Sequence, residues 1–66
     1  MTVWLNGERA ETRGAGNIAE LAERYGLLPN SILIEHNGVA LHRREWPERE
    51  VAQDDRIEFI RVVAGG

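Results

Sequence analysis

The apolar positions fall into short runs with two different periods. Val3 and Leu5 flank Trp4 in Thr2-Val3-Trp4-Leu5-Asn6, which reads as a strand, and Asn6-Gly7 is a strong short hairpin signal. Residues 8–13 return as a charged, mostly exposed strand suited to a sheet edge. Gly14-Ala15-Gly16 breaks the pattern. The period then changes: Ile18, Leu21, Ala22 and Tyr25 recur at i, i+3, i+4 and i+7, the apolar face of a helix over about 18–25. Asn17 is its expected cap, with Glu20 three residues on, and Gly26 its stop. Leu27-Leu28-Pro29-Asn30 is a connection whose apolar content suits packing on the core. Residues 31–36 form a third strand, Asn37-Gly38 a second hairpin turn, and residues 39–42 a fourth strand. Residues 43–47 read as a short helical turn closed by Pro47, and 48–55 as a polar connection ending in the turn signal Gln53-Asp54-Asp55. The last strand starts at Arg56 and carries Ile57, Phe59, Ile60, Val62 and Val63.

The order hairpin, helix, hairpin, loop, strand predicts an α+β fold. Pairing the first and last strands in parallel puts the two apolar strands in the centre and leaves the second and fourth at the edges. That arrangement is a β-grasp: a mixed, ubiquitin-like sheet of four to five strands with one helix packed on one face. Residues 1–62 are read as one domain and 63–66 as a flexible tail. Val3, Leu5, Ile18, Leu21, Tyr25, Ile32, Ile34, Leu41, Ile57 and Phe59 are expected to meet between sheet and helix, with Trp46 anchoring the turn after the fourth strand.

Composition narrows the chemistry. A 66-residue chain buries only about 60% of the surface its unfolded form exposes. It has no cysteine to reinforce it. The net charge is −3 with signs interspersed, which argues against nucleic acid, and no long apolar run or signal peptide argues for a membrane; the expected location is cytoplasmic. All 8 basic residues are arginine. The chain thus has neither an amine side chain nor a thiol for covalent chemistry.

The body of the chain offers no catalytic constellation, so it is not expected to be an enzyme. If Asn37-Gly38 is a two-residue turn, His36 shares a face with Ile32 and Ile34 while His42 faces the other way, so they cannot share a metal. Asp54-Asp55 with the nearby glutamates fits no calcium loop. Ser31 lacks the glycines of a nucleophile elbow, and Gly14-Ala15-Gly16 lacks the lysine of a phosphate loop.

The chain end is different. Val63-Ala64-Gly65-Gly66 follows a strand directly, and its side chains shrink to nothing. A terminal carboxylate that must reach a buried nucleotide through a narrow channel needs such a taper, because glycine removes both bulk and backbone restriction.

These residues resemble the ThiS-type sulfur-carrier proteins of thiamine biosynthesis, small β-grasp proteins ending in Gly-Gly. Asn37-Gly38 matches the central hairpin, and Val63-Ala64-Gly65-Gly66 the tail. Leu41-His42-Arg43-Arg44-Glu45-Trp46 resembles a pattern of apolar residue, Pro, Arg, two variable residues and Trp, with His42 where proline is usual. Gln53-Asp54-Asp55 stands where Asp-Gly-Asp is common. The resemblance implies that an adenylyltransferase similar to ubiquitin-activating enzymes uses ATP and Mg to adenylate Gly66, the carrier itself binding no cofactor. A persulfide donor then displaces AMP to leave a thiocarboxylate, and thiazole synthase receives the sulfur. Val63, Ala64 and Gly65 would enter the partner's active site. A carrier for molybdopterin or cysteine synthesis, a ubiquitin-like protein modifier and a β-grasp interaction module with an inert tail are the alternatives.

Strand alternation also predicts a docking face. With Val3, Leu5, Ile32, Ile34, Ile57 and Phe59 inward, Trp4, Leu33 and Ile60 point outward. They are expected to form one exposed apolar patch, with Glu35 and Glu58 beside it and Val62 leading to the tail.

Overall fold

Both Asn-Gly pairs take the left-handed backbone that two-residue hairpins require: φ is 49° and 83° at Asn6-Gly7, and 50° and 84° at Asn37-Gly38. In this computed structural model, which describes residues 1–62, the first turn joins β1 (Thr2–Leu5) to β2 (Glu8–Glu11) and the second joins β3 (Ile32–His36) to β4 (Val39–Leu41). β2 ends two residues short of the expected Arg13, because Arg13 and Gly14 turn to positive φ and lead the chain away from the edge.

The helix α1 (Ile18–Arg24) begins at the predicted cap, where Asn17 Oδ1 accepts the Glu20 N–H at 2.8 Å. The Glu20 carboxylate reaches one residue further back than a standard capping box and accepts from the Gly16 N–H, also at 2.8 Å. At the other end the Gly26 N–H donates to the Glu23 carbonyl and the Leu27 N–H to the Ala22 carbonyl. With φ +67° at Gly26, these two bonds make a Schellman termination. A 3₁₀ turn, Pro29–Ser31, then feeds β3. A second one, Arg43–Glu48, follows β4. His42 ends up just ahead of it rather than in β4, and its N–H donates to Glu45 Oε1 at 2.8 Å. Proline at this position would have no such donor.

β5 (Arg56–Arg61) lies in the middle of a five-stranded sheet of order β2-β1-β5-β3-β4. It pairs in parallel with β1 and antiparallel with β3. This is the β-grasp topology anticipated from the chain. The inward faces of β1, β3, β4 and β5 and the apolar face of α1 enclose Val3, Leu5, Ile18, Leu21, Ile32, Ile34, Leu41 and Ile57, with Tyr25 and Phe59 half-buried at the margin. Trp46 is buried too, so the second 3₁₀ turn closes the core beside α1. Val51 was hidden in a stretch that reads as polar. It reaches the core because the segment is stitched alongside the helix start, with the Ile18 N–H on the Arg49 carbonyl and the Val51 N–H on the Gly16 carbonyl.

The turn into β5 resolves the missing glycine. The Asp55 N–H donates to the Ala52 carbonyl, and Asp54 takes φ +67°. Asp54 therefore holds the left-handed position that glycine fills most easily in such a turn. Its own N–H is fixed on the Thr2 carbonyl at 2.7 Å.

Candidate functional site

The chemistry expected of Gly66, and of Val63, Ala64 and Gly65 before it, falls on residues outside those described. What the structure does define is the platform from which they follow. β5 runs from the buried Ile57 to Arg61, which pairs with Ile32, and the Val62 N–H then donates to the Ser31 carbonyl at 2.8 Å. The last described residue is thus tied to the start of β3.

On the sheet face away from α1, alternation places Arg56, Glu58 and Ile60 of β5 outward. Leu33 stands directly opposite Ile60 in the register, and Glu35 opposite Glu58. Leu33 and Ile60 are 56% and 43% exposed, Val62 beyond them 49%, and Leu28, in the loop at the same end of the sheet, 70%. Apolar surface therefore gathers at the end of the sheet where residues 63–66 follow.

Trp4 does not join it, which corrects the expectation of one continuous patch. The parallel register sets Trp4 level with Arg56, not Ile60. Four residues of strand at about 3.3 Å each put the Ile60 level roughly 13 Å further along β5. Glu58 lies on the same face between the two levels. Trp4 instead carries Arg9 over its ring at 5.7 Å, a cation–π contact on the β1–β2 side. The outer face is divided into an apolar end, an acidic middle with Glu35 against Glu58, and an aromatic–cationic end. Alternation along each strand was correct; the stagger between parallel strands is what a single sequence does not reveal.

A partly buried polar node fixes the opposite end of β3. Asp55 Oδ2 accepts from His36 Nε2 at 2.7 Å and from the Ala52 N–H at 2.8 Å, and Oδ1 accepts from Asn37 Nδ2 at 3.0 Å. Burial of the Asp55 carboxyl works to raise its pKa, but the hydrogen bonds from His36, Ala52 and Asn37 together outweigh it and hold the group below its ordinary value. Asn37 also accepts the Arg56 N–H on Oδ1 at 2.8 Å. His36 is therefore a structural residue on the inward face. Among the described residues no group of three or more His, Cys, Asp or Glu side chains is placed to hold a metal ion. No helix there is long and apolar enough to cross a membrane.

A groove of about 450 Å³ runs between α1 and the second 3₁₀ turn, floored by Ala19, Ala22, Leu27 and Trp46 and flanked by Glu23 and Arg43. It holds no array of nucleophile, base and orienting group.

A β-grasp whose central strand is followed in the sequence by Val62-Val63-Ala64 and the terminal Gly65-Gly66 belongs to the class of the small ubiquitin-like carriers. The ThiS family model matches residues 3–66, which include that terminus. The chain belongs to the ThiS family; it is a ThiS-type sulfur carrier. The crystal structure of a thiamine biosynthesis protein (ThiS) from Geobacter metallireducens superposes with a TM-score of 0.84, at 28% identity and with both chains covered completely. The NMR solution structure of a thiamine biosynthesis protein from Geobacter metallireducens gives 0.80, also at 28% identity, covering 100% of this chain and 88% of the other. Among sequences, the uncharacterized protein ycf40 of Trieres chinensis is 23% identical over 65 residues, covering 98% of this chain and 89% of its own.

Proposed function

We propose that this protein carries sulfur for thiazole formation in thiamine biosynthesis, as a thiocarboxylate on Gly66. One observation carries the reading: the family match runs through the β-grasp body to the last residue, Gly66. An adenylyltransferase partner activates the carboxylate with ATP and Mg. A carboxylate oxygen attacks the α-phosphorus, pyrophosphate leaves, and the inert anion becomes an acyl-adenylate. The terminal sulfur of a persulfide donor then attacks the acyl carbon and AMP departs. A thiol of the donor cleaves the resulting acyl disulfide, itself ending in a disulfide, and the thiocarboxylate remains. Thiazole synthase takes this sulfur as the nucleophile for its ring.

The protein's own part is presentation. Beyond the terminal carboxylate it supplies no acid, base or nucleophile; it offers a tail whose residues 65 and 66 have no side chain and a rigid body that partners grip. Leu33, Ile60 and Val62 form the apolar part of that grip, with Glu35 and Glu58 beside them to meet cationic groups on a partner. Trp4 contributes from a separate position.

Intact-mass measurement tests the carrier reading. After incubation with the cognate adenylyltransferase, ATP, Mg and a persulfide source, the protein should gain about 16 Da, the exchange of one oxygen for sulfur in a terminal modification. Fragmentation should place the gain at Gly66. An unchanged mass with a demonstrably active partner would exclude the function. Transfer to thiazole synthase, with loss of that gain, distinguishes the thiamine role from delivery to another acceptor.

A further inference from the structure

The only serine of the chain sits where the sheet hands over to the terminus. Ser31 has no part in the core, yet it is held twice: its N–H and its Oγ both donate to the Leu28 carbonyl, at 3.0 and 2.9 Å. Pro29 opens the same 3₁₀ turn, with its φ fixed by the ring. Upstream, the Schellman bonds of Gly26 and Leu27 lock the entry of this segment to the end of α1. Downstream, the Ser31 carbonyl accepts the Val62 N–H at 2.8 Å, one residue beyond the last strand pair, Ile32 with Arg61. Hydrogen bonds to the Ala22, Leu28 and Ser31 carbonyls thus tie the short connection from the helix end to Val62.

We infer that the Pro29–Ser31 turn is a clamp that sets the position and direction from which the terminal residues leave, and that Ser31 is a positioning residue for activation of Gly66. The inference rests on the carrier reading above. Four residues span at most roughly 14 Å when fully extended, so the place where Val62 is held determines what the Gly66 carboxylate can reach. Leu33 and Ile60 lie at the same end of the sheet as the clamp. A partner seated on that pair receives the terminus at a fixed offset. If the Val62 bond opens, the last held position retreats to Arg61, and the offset between the docking pair and the start of the remaining chain is no longer fixed. Docking is unchanged, while the fraction of bound carriers with the carboxylate in line for attack falls.

The test compares the wild-type chain with Ser31→Ala and Ser31→Thr. The first removes the Oγ bond to Leu28 and the second keeps a hydroxyl that can make it. Two quantities are read: hydrogen exchange of the Val62 amide relative to that of Ile60, and ATP–pyrophosphate exchange catalysed by the adenylyltransferase. In Ser31→Ala, Val62 exchange should rise about three- to tenfold, the size expected for weakening one hydrogen-bonded turn. The kcat should fall by a similar factor with KM unchanged, and Ser31→Thr should restore both. Pro29→Ala, which releases the ring-fixed φ of the same turn at a residue outside the docking face, should lower kcat in the same direction with KM unchanged and serves if Ser31→Ala does not fold. A rise in Val62 exchange with kcat unaltered would overturn the clamp, as would a change in KM alone or a loss that threonine does not rescue. Absence of pyrophosphate exchange with the wild-type chain would instead overturn the carrier reading, and the clamp's role with it.

Discussion

His36 Nε2 and Asp55 Oδ2 stand 2.7 Å apart, joining the end of β3 to the start of β5. Because Asp55 is an acceptor when ionised, the Nε2 atom must carry the proton in this contact. The pair sits beside Asn37, whose N–H and side chain are both spent on Asp55 and Arg56. The Asp55 carboxylate and Asn37 together therefore hold the β3–β4 turn, the Ala52–Asp55 turn and the first residue of the central strand in register.

Acid should release this node. The native Asp55 pKa is depressed, so its stabilisation is complete above the unfolded carboxyl value of about 3.9 and is lost as pH falls through the lower folded value. Asp55→Asn should flatten the acid limb of the Tm-versus-pH curve over that window. Asp55→Ala should cost about 1–3 kcal/mol at neutral pH, since it strands the buried His36 donor and the Ala52 N–H. An acid limb identical to wild type in Asp55→Asn would show that the node carries none of the acid sensitivity. Thermal melts across the acid range are sufficient for both comparisons.

The position before Asp55 in the same turn makes a prediction of the opposite sign. Asp54 is held at φ +67°, where a Cβ is unfavourable and glycine is not. Asp54→Gly should stabilise the fold by about 0.5–1 kcal/mol, offset in part by the entropy glycine adds to the unfolded chain. In a domain of this size that is a rise in Tm of about 2–8 °C. Asp54→Ala should lower Tm, because alanine keeps the Cβ without aspartate's tolerance of this backbone. A lower Tm for the glycine variant would mean that the Asp54 side chain contributes more than its backbone costs.

The core gives the largest expected losses. Leu21 is wholly buried between α1 and the sheet, so Leu21→Ala should cost about 2–5 kcal/mol in chemical denaturation. In a domain so small this approaches the whole of its stability. Trp46→Ala should cost about 3–5 kcal/mol for the same reason. Trp46 Nε1 is buried without a hydrogen-bond partner among the described residues. Trp46→Phe removes that unpaired donor along with the extra volume and should be markedly milder than the alanine change. Loss of partner affinity with unchanged stability in Trp46→Ala would instead make the residue an interface anchor.

The contrast between Leu21 and Val51 shows what the sequence could carry. Leu21 declares itself because Ile18, Ala22 and Tyr25 repeat with it on one helical face. The apolar strands declare themselves through alternation, and their edge partners through two Asn-Gly turns whose residues suit a tight hairpin. Val51 has no periodic companions; it is buried only because a distant backbone segment, Gly16–Ile18, pairs with the chain around it. His36 could be placed on the inward face, but its partner Asp55 lies nineteen residues away and no local pattern links them. Trp4 failed for a third reason. Its outward direction follows from its own strand, whereas its distance from Ile60 depends on the stagger of β1 against β5, set by the whole intervening chain.

That stagger makes the docking face testable in detail. Leu33→Ala and Ile60→Ala should each weaken the complexes with the adenylyltransferase and with thiazole synthase. A loss above about 1 kcal/mol, or roughly fivefold in Kd, would mark an anchor. Both side chains are substantially exposed, so Tm should barely move. The two residues face each other across β3 and β5, so their effects should be coupled, with an interaction energy of about 0.5–3 kcal/mol in a double-mutant cycle. Trp4 lies level with Arg56, roughly 13 Å along the sheet from the Ile60 level. Trp4→Ala combined with Ile60→Ala should therefore be additive within about 0.5 kcal/mol. Calorimetric titration of the four variants in each cycle supplies the comparison. Strong coupling between Trp4 and Ile60, with none between Leu33 and Ile60, would mean that partners read this face along a different line. If Ile60→Ala unfolds the domain, that side chain belongs to the core, and the outward assignment of β5 is shifted by one residue.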